Sequence, residues 1–283
     1  MDRAEFLALV LSLALGFGGM SWLTQRYGWS HPNFRQHKIP AVAGLAFVLA
    51  GECFYCFEWF RPHAQDPFVP AAYFLVTLGF GLLGLLDDLQ GDRSAGGFRG
   101  HLGALAQGKL TTGAIKALGG GLLALLAGYL LTNDPIYWHH PGFWWRWPLA
   151  SLLIALSANT LNLLDLRPGR SLAGFLGGVL VILAVLAHQG GASVGFLLWF
   201  AAAVALILYP LDAGGRVMLG DTGSNAFGAV WGVAAVLYFS PLWQAVTVGL
   251  MLLFQLWCET HSLSQTIERS AILRRLDRLL GVR

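Results

Sequence analysis

The sequence predicts an all-α, polytopic membrane protein, and three observations predict it. Of 283 residues, 56% are hydrophobic and only 12% are charged, against about 25% charged in an average soluble domain. The apolar residues fall in runs long enough to cross a bilayer, which takes about 20 of them per helix. The basic residues gather in alternate connections between those runs.

Nine runs qualify: 5–23, 41–60, 68–86, 113–131, 147–164, 171–189, 192–209, 225–240 and 241–258. The first follows Met-Asp-Arg-Ala-Glu, which lacks the basic head and Ala-x-Ala site of a cleaved signal, so it is read as a retained span. The second contains Cys53 and Cys56; with no partner ligands nearby, these and Cys258 are expected to pack in the core rather than bind metal or cycle redox state. The last two runs abut at Ser240-Pro241 and are expected to form a tight hairpin. Residues 1–258 read as one membrane domain. In the tail, 259–283, Ile272, Leu273, Leu276, Leu279 and Leu280 form one helical stripe beside several arginines. The stripe predicts an amphipathic helix on the inner leaflet; packing on cytoplasmic loops is the alternative.

Orientation follows from the basic residues. With the N-terminus outside and the C-terminus inside, 15 of the 18 lysines and arginines lie in cytoplasmic segments, leaving Arg3, Arg61 and Arg146 outside. The net charge of +3 then describes a cationic inner face suited to anionic lipids and phosphorylated substrates, with no nucleic-acid partner needed. On the outer side, His139 and His140 sit in "YWHHPGFWWRW", an aromatic-belt composition.

The informative residues are polar ones at span ends on the inner side. The third run closes on Asp87 and Asp88. Two carboxylates about 4 Å apart repel by roughly 4 kcal/mol at an effective dielectric near 20. A divalent ion converts that repulsion into coordination, and Mg²⁺ is commonly held by one or two carboxylates plus substrate phosphates. A solvated helix end is the plainer alternative. The fifth run closes "SANTLNLLDLRPGR", placing Asn159, Asn162 and Asp165 three residues apart on one stripe. Such residues face a bundle interior or a wet cavity, or hydrogen-bond between helices. Before the eighth run, Gly220, Asp221, Thr222, Gly223 and Ser224 make a Gly-rich helix start whose free N–H groups would attract phosphate; a plain N-cap is the alternative. Thr112 reads as an N-cap of the fourth run. Lys38, Arg99, His101 and Lys116 are the basic groups available to phosphates.

"GLLDDL", "NTLNLLD" and "MLGDTGS", in this order and on one membrane face, resemble the polyprenyl-phosphate N-acetylhexosamine-1-phosphate transferases, which include the phospho-N-acetylmuramoyl-pentapeptide transferases. "HKIPAVAGL" is similar to their early Lys-x-Pro-x-x-Gly-Gly region, with Ala43 at the first glycine. The resemblance implies transfer of a sugar 1-phosphate from a UDP-sugar to a polyprenyl phosphate, Mg²⁺ dependence, UMP release and a cell-membrane location. Its partners would be the lipid phosphate, the nucleotide-sugar and membrane lipids; it allows a homodimer. It implies Asp221 and Asp88 as metal ligands, Asp87, Asp88 and Asp221 as catalytic, and Lys38, Lys116, Asn159, Asn162, Asp165, Gly220 and Gly223 as substrate-binding. Members read Asp-Gly-x-Asp-Gly after the asparagines; here Asp165 is followed by Leu166, Arg167, Pro168 and Gly169, so the second aspartate is gone. Met218 stands where an aromatic residue is common, and of the late His-rich loop only His261 remains. A catalytically silent lipid-phosphate-binding protein is the alternative. An aromatic prenyltransferase would want a second Asp-rich motif, and a transporter broken helices near mid-membrane.

Overall fold

Each of the nine runs lies on a helix, because long apolar stretches in lipid must satisfy their backbone internally. The structure is a computed structural model and describes residues 3–33, 35–60, 67–90, 112–132, 143–188 and 195–281. Its helices are α1 (Arg3–Tyr27), α2 (Leu45–Trp59), α3 (Phe68–Gln90), α4 (Thr112–Thr132), α5 (Phe143–Leu164), α6 (Arg170–His188), α7 (Phe196–Ala213), α8 (Gly220–Tyr238), α9 (Pro241–Thr260), α10 (Leu263–Arg269) and α11 (Ala271–Leu280). Arg61, Arg99, His101, His139 and His140 lie outside the described residues.

The all-helical expectation needs one amendment. Between α1 and α2, strands β1 (Ser30–Pro32) and β2 (Lys38–Pro40) pair antiparallel, with His31 opposite Ile39. The turn between them is held by Asn33, whose Oδ1 accepts the amides of Arg35 and His37 and whose Nδ2 donates to the Gly215 carbonyl at 2.9 Å.

Among the described residues, seven helices are long and apolar enough to cross a membrane, and the protein is a multi-pass membrane protein. The expectation was nine spans; seven helices among the described residues meet that criterion. Helix α2 has only 15 residues. Helix α8 opens on Gly-Asp-Thr-Gly-Ser-Asn and is rich in glycine and alanine. Its surroundings explain that composition. Helices α2, α3, α4, α5, α6 and α7 each contact the next, α7 contacts α2, and all six contact α8. A closed ring of helices therefore surrounds α8, and its residues from Thr222 to Ala235 are buried. A helix that meets protein on every side gains more from small residues and close backbone approach than from bulk hydropathy. Phe47 of α2 stacks on Phe227 of α8 at 3.9 Å between ring centroids, and Phe175 of α6 packs on the same ring at 4.9 Å.

Ser240 caps α9 and Pro241 opens it, as a sharp stop between helices requires. The expected α8–α9 hairpin is not the main packing, however. Helix α9 leaves the ring and lies along α5, because Gln255 offers α5 a polar partner: its Nε2 donates to the Leu156 carbonyl at 2.9 Å and to the Thr160 hydroxyl at 3.0 Å. The cysteines are free thiols, and Cys53 is exposed on α2 rather than packed in the core.

Candidate functional site

The up-and-down order of the helices brings the ends of α3, α5 and α7 and the starts of α4, α6 and α8 to one end of the ring, and the polar residues of the sequence motifs collect there. Asp88, near the end of α3, reaches the start of α8. Its Oδ1 accepts the Asp221 amide at 2.9 Å, and its Oδ2 accepts the Thr222 amide at 2.9 Å and the Thr222 hydroxyl at 2.6 Å. The first N–H groups of a helix have no intrahelical partner, so Asp88 caps α8 from another helix. Of the amides expected to stand open to a phosphate, those of Asp221 and Thr222 are already taken by a carboxylate of the chain.

Asp87, the neighbouring residue on α3, contacts the Asp221 carboxylate, and the Thr112 hydroxyl at the start of α4 bonds to it. Thr112 is thus the first residue of α4 facing Asp87, one step from its expected capping place. The repulsion between Asp87 and Asp221 is met by Lys116 of α4. Its ammonium hydrogen-bonds Asp221 Oδ2 and lies 3.7 Å from Asp87 Oδ2. One turn into α4 thus carries the cation that lets the two acids coexist.

Asn162 completes the cluster from α5, donating to Ser224 Oγ at 3.1 Å and bonding the Asp221 side chain. Asp165, just beyond α5, accepts the Gly220 amide. Burial pushes its carboxyl well above the usual range, and the charges of Asp212, Asp221 and Asp88 push the same way. Asn159 goes elsewhere. It is exposed and donates to Gln255 Oε1 at 2.8 Å, joining α5 to α9. Three residues turn a helix by about 300°, a net offset of about 60°, and across that offset Asn159 meets α9 while Asn162 meets α8. Lys38 is exposed on β2 and makes no ion pair among the described residues.

The glycines act through geometry. Gly220 has φ of 74°, and a side chain there would press on Asp88 Oδ2 at 2.7 Å. Gly84 of α3 and Gly223 of α8 lie where a Cβ would meet backbone of the facing segment, Asp221 for the former and Gly44 for the latter. They let α2, α3 and α8 close up enough for Asp88 to reach the α8 amides.

The Arg-Pro-Gly-Arg turn also finds its partners. Arg170 is buried and pairs with Asp277 of α11, Nε to Oδ1 at 2.5 Å and Nη2 to Oδ2 at 3.1 Å, while its Nη1 donates to Ser264 Oγ at 3.2 Å. Arg167 pairs with Glu268 at 3.4 Å. Both arginines thus tie the turn to the tail. His261 stacks on Trp257 at the end of α9.

Two residues of this region were not singled out from sequence. Asp212, near the end of α7, is buried and accepts the amides of Gly169 at 2.7 Å and Leu219 at 3.1 Å, tying the turn after α5 to the loop before α8. It carries the signal that marked Asp87, a carboxylate closing an apolar run. Asp277 gave no signal, since a lone acid among tail arginines looks solvated.

Chemically, the cluster is a set of hard oxygen donors whose charge one ammonium offsets in part. Among the described residues no three carboxylate, imidazole or thiol groups surround a common point. The pair Asp87 and Asp221 nonetheless fits a small hard cation that completes its shell with substrate phosphates.

The chain matches the model of glycosyl transferase family 4 over residues 70–239, a stretch that contains every member of the cluster. It is also similar to the phospho-N-acetylmuramoyl-pentapeptide-transferase of Moorella thermoacetica, 32% identical over 187 residues. That alignment covers 63% of this chain and only 56% of the relative. With three motifs on one cluster and a family match over more than half its length, the chain belongs to glycosyl transferase family 4, the family of the polyprenyl-phosphate sugar-1-phosphate transferases.

Proposed function

We propose that the protein transfers a sugar 1-phosphate from a UDP-sugar to a polyprenyl phosphate with release of UMP, in a Mg²⁺-dependent reaction at the cytoplasmic face of the cell membrane. The observation that supports this reading is the triad of Asp87, Asp221 and Lys116 at one end of the ring. Two acids and one cation there can exchange partners with a metal and a phosphate.

Asp221 and Asp87 would hold Mg²⁺, which supplies charge neutralisation to phosphate oxygens. Asp88 is less suited to direct ligation, since three hydrogen bonds already occupy its oxygens; it positions Asp221. An oxygen of the lipid phosphate attacks the β-phosphorus of the donor. The new P–O bond forms as the bond to the UMP oxygen breaks, and UMP leaves with that electron pair. A phosphate nucleophile is already anionic near neutral pH, so no strong base is needed. The chain's task is alignment and charge. Lys116 supplies an ammonium, and Asn162 and Asp165 fix the opposite wall. An acceptor with its tail in the bilayer and its head at the interface meets the site at its own depth.

One observation favours the second reading, a silent lipid-phosphate-binding protein: the turn after Asp165 lacks the second aspartate, and its arginines are engaged by the tail. The deciding experiment supplies purified protein with polyprenyl phosphate, Mg²⁺ and a panel of UDP-sugars and follows UMP. Release that depends on Mg²⁺ and disappears in Asp221→Asn is the expected result. No release from any donor, with polyprenyl phosphate still bound, would establish the silent reading instead.

A further inference from the structure

We propose that α11 is a foot resting on anionic lipid at the membrane surface, and that the Asp277–Arg170 pair couples this seating to the turn beside the active site. The second half rests on the reading of that turn as part of a donor site.

Helical geometry separates three directions on α11. At about 100° per residue, Leu279, Ile272, Leu276, Leu280 and Leu273 fall within one arc of about 120°. Arg274, Arg278 and Arg275 fall on the opposite side, and Asp277 lies between the two. The Asp277 direction faces the protein: Asp277 is buried against Arg170. Among the described residues nothing covers the apolar arc, with Ile272, Leu276 and Leu279 at 74%, 54% and 75% exposure. An unpartnered arc on a helix this short is costly in water and favourable at a lipid boundary.

The position of the helix identifies the lipid boundary. Arg170 is the first residue of α6, and Tyr209 near the end of α7 donates its hydroxyl to the Leu280 carbonyl at 3.0 Å. Helix α11 thus lies across the ends of two membrane-spanning helices, where their apolar surface stops. Charge selects the class of lipid. Glu268 and Asp277, the acids of α10 and α11, are both engaged by arginines of the turn, Arg167 and Arg170. Arg275 and Arg278 have no ion pair among the described residues. The tail therefore presents its own positive charge uncompensated, beside an apolar arc, as anionic headgroups require.

The coupling runs through the turn. Gly169 has φ of 82°, and a Cβ there would strike the Leu280 carbonyl, so the end of α11 lies directly on the backbone that follows Asp165. Gly169 also donates its amide to Asp212. Displacing α11 exposes Arg170 unpaired and frees the turn.

The test uses the full chain in lipid nanodiscs, with Cys53, Cys56 and Cys258 replaced by serine and a spin label at Leu276→Cys or Arg274→Cys. Relaxation by oxygen and by a water-soluble nickel chelate reports depth. The label at 276 should be at least threefold better protected from nickel than the label at 274, while staying open to oxygen. The difference should be larger in discs containing phosphatidylglycerol than in phosphatidylcholine alone. Equal nickel access at both positions overturns the proposal. Shielding of 276 from both reagents means that protein covers the arc and overturns it too. For the coupling, Asp277→Asn should weaken UMP binding about tenfold in anionic discs, and Asp277→Glu should restore it. Unchanged UMP binding in Asp277→Asn overturns the coupling alone. Failure of the parent protein to bind UMP instead overturns the donor reading, and the coupling with it, while the depth measurement stands.

Discussion

The Asp88 carboxylate accepts the Thr222 amide at 2.9 Å and its hydroxyl at 2.6 Å, so the end of α3 caps the start of α8. Hydrogen bonds to a charged group contribute about 1.5–3 kcal/mol each when their partner is removed. Asp88→Asn would present an NH₂ group to donors and should lower stability by about 2 kcal/mol, visible as a drop in detergent melting temperature. Thr222→Ser keeps all three donors and should melt close to the parent. Equal melting of the parent and Asp88→Asn would contradict the cap.

Lys116 competes with any metal for Asp87 and Asp221. Lys116→Gln should therefore bind Mn²⁺, an EPR-visible substitute for Mg²⁺, roughly tenfold more tightly in the absence of substrates. In the proposed reaction, the same change should cut turnover about 100-fold, since the transferring phosphate would lose a cation. Weaker Mn²⁺ binding in this variant would show that the lysine assists the ion instead.

The two asparagines of α5 should separate in function. Asn162 reaches Ser224 and Asp221, whereas Asn159 reaches Gln255. Asn162→Ala should lose at least tenfold more activity than Asn159→Ala. Gln255→Ala should lower the melting temperature as Asn159→Ala does, since both loosen α9 from α5. A reversed order of activities would return Asn159 to the site.

Asp165 sets a pH dependence. Its carboxyl titrates well above the ordinary value of 3.8, through burial first and then the charge of Asp212. A carboxyl with a higher pKa folded than unfolded takes up a proton on folding. That stabilisation is complete below the unfolded value and is lost as pH rises through the folded one. In metal-free buffer, the melting temperature should therefore fall more steeply for the parent than for Asp165→Asn as pH rises above the ordinary carboxyl range. Parallel curves would rule out the assignment.

Much of this site was legible in the sequence because lipid makes polar residues expensive. Asp87, Asp88, Asp165 and Asp221 stood out against apolar runs, and the structure gathers them at one end of the ring. What stayed hidden was set by contacts between distant segments. No local pattern tells Asn159 from Asn162, since the difference lies in Gln255, 96 residues away in sequence from Asn159. The use of the α8 amides by Asp88 was equally hidden, as was the burial of Asp277 against Arg170. Hydropathy marked α8 only as the short run 225–240; its central place, which its small residues reflect, was not legible from composition.

The ring has a consequence for biosynthesis. Ribosomes deliver α2 through α7 before α8 exists, yet α8 ends at their centre. The ring can therefore take its final form around α8 only after all six of its members have been made.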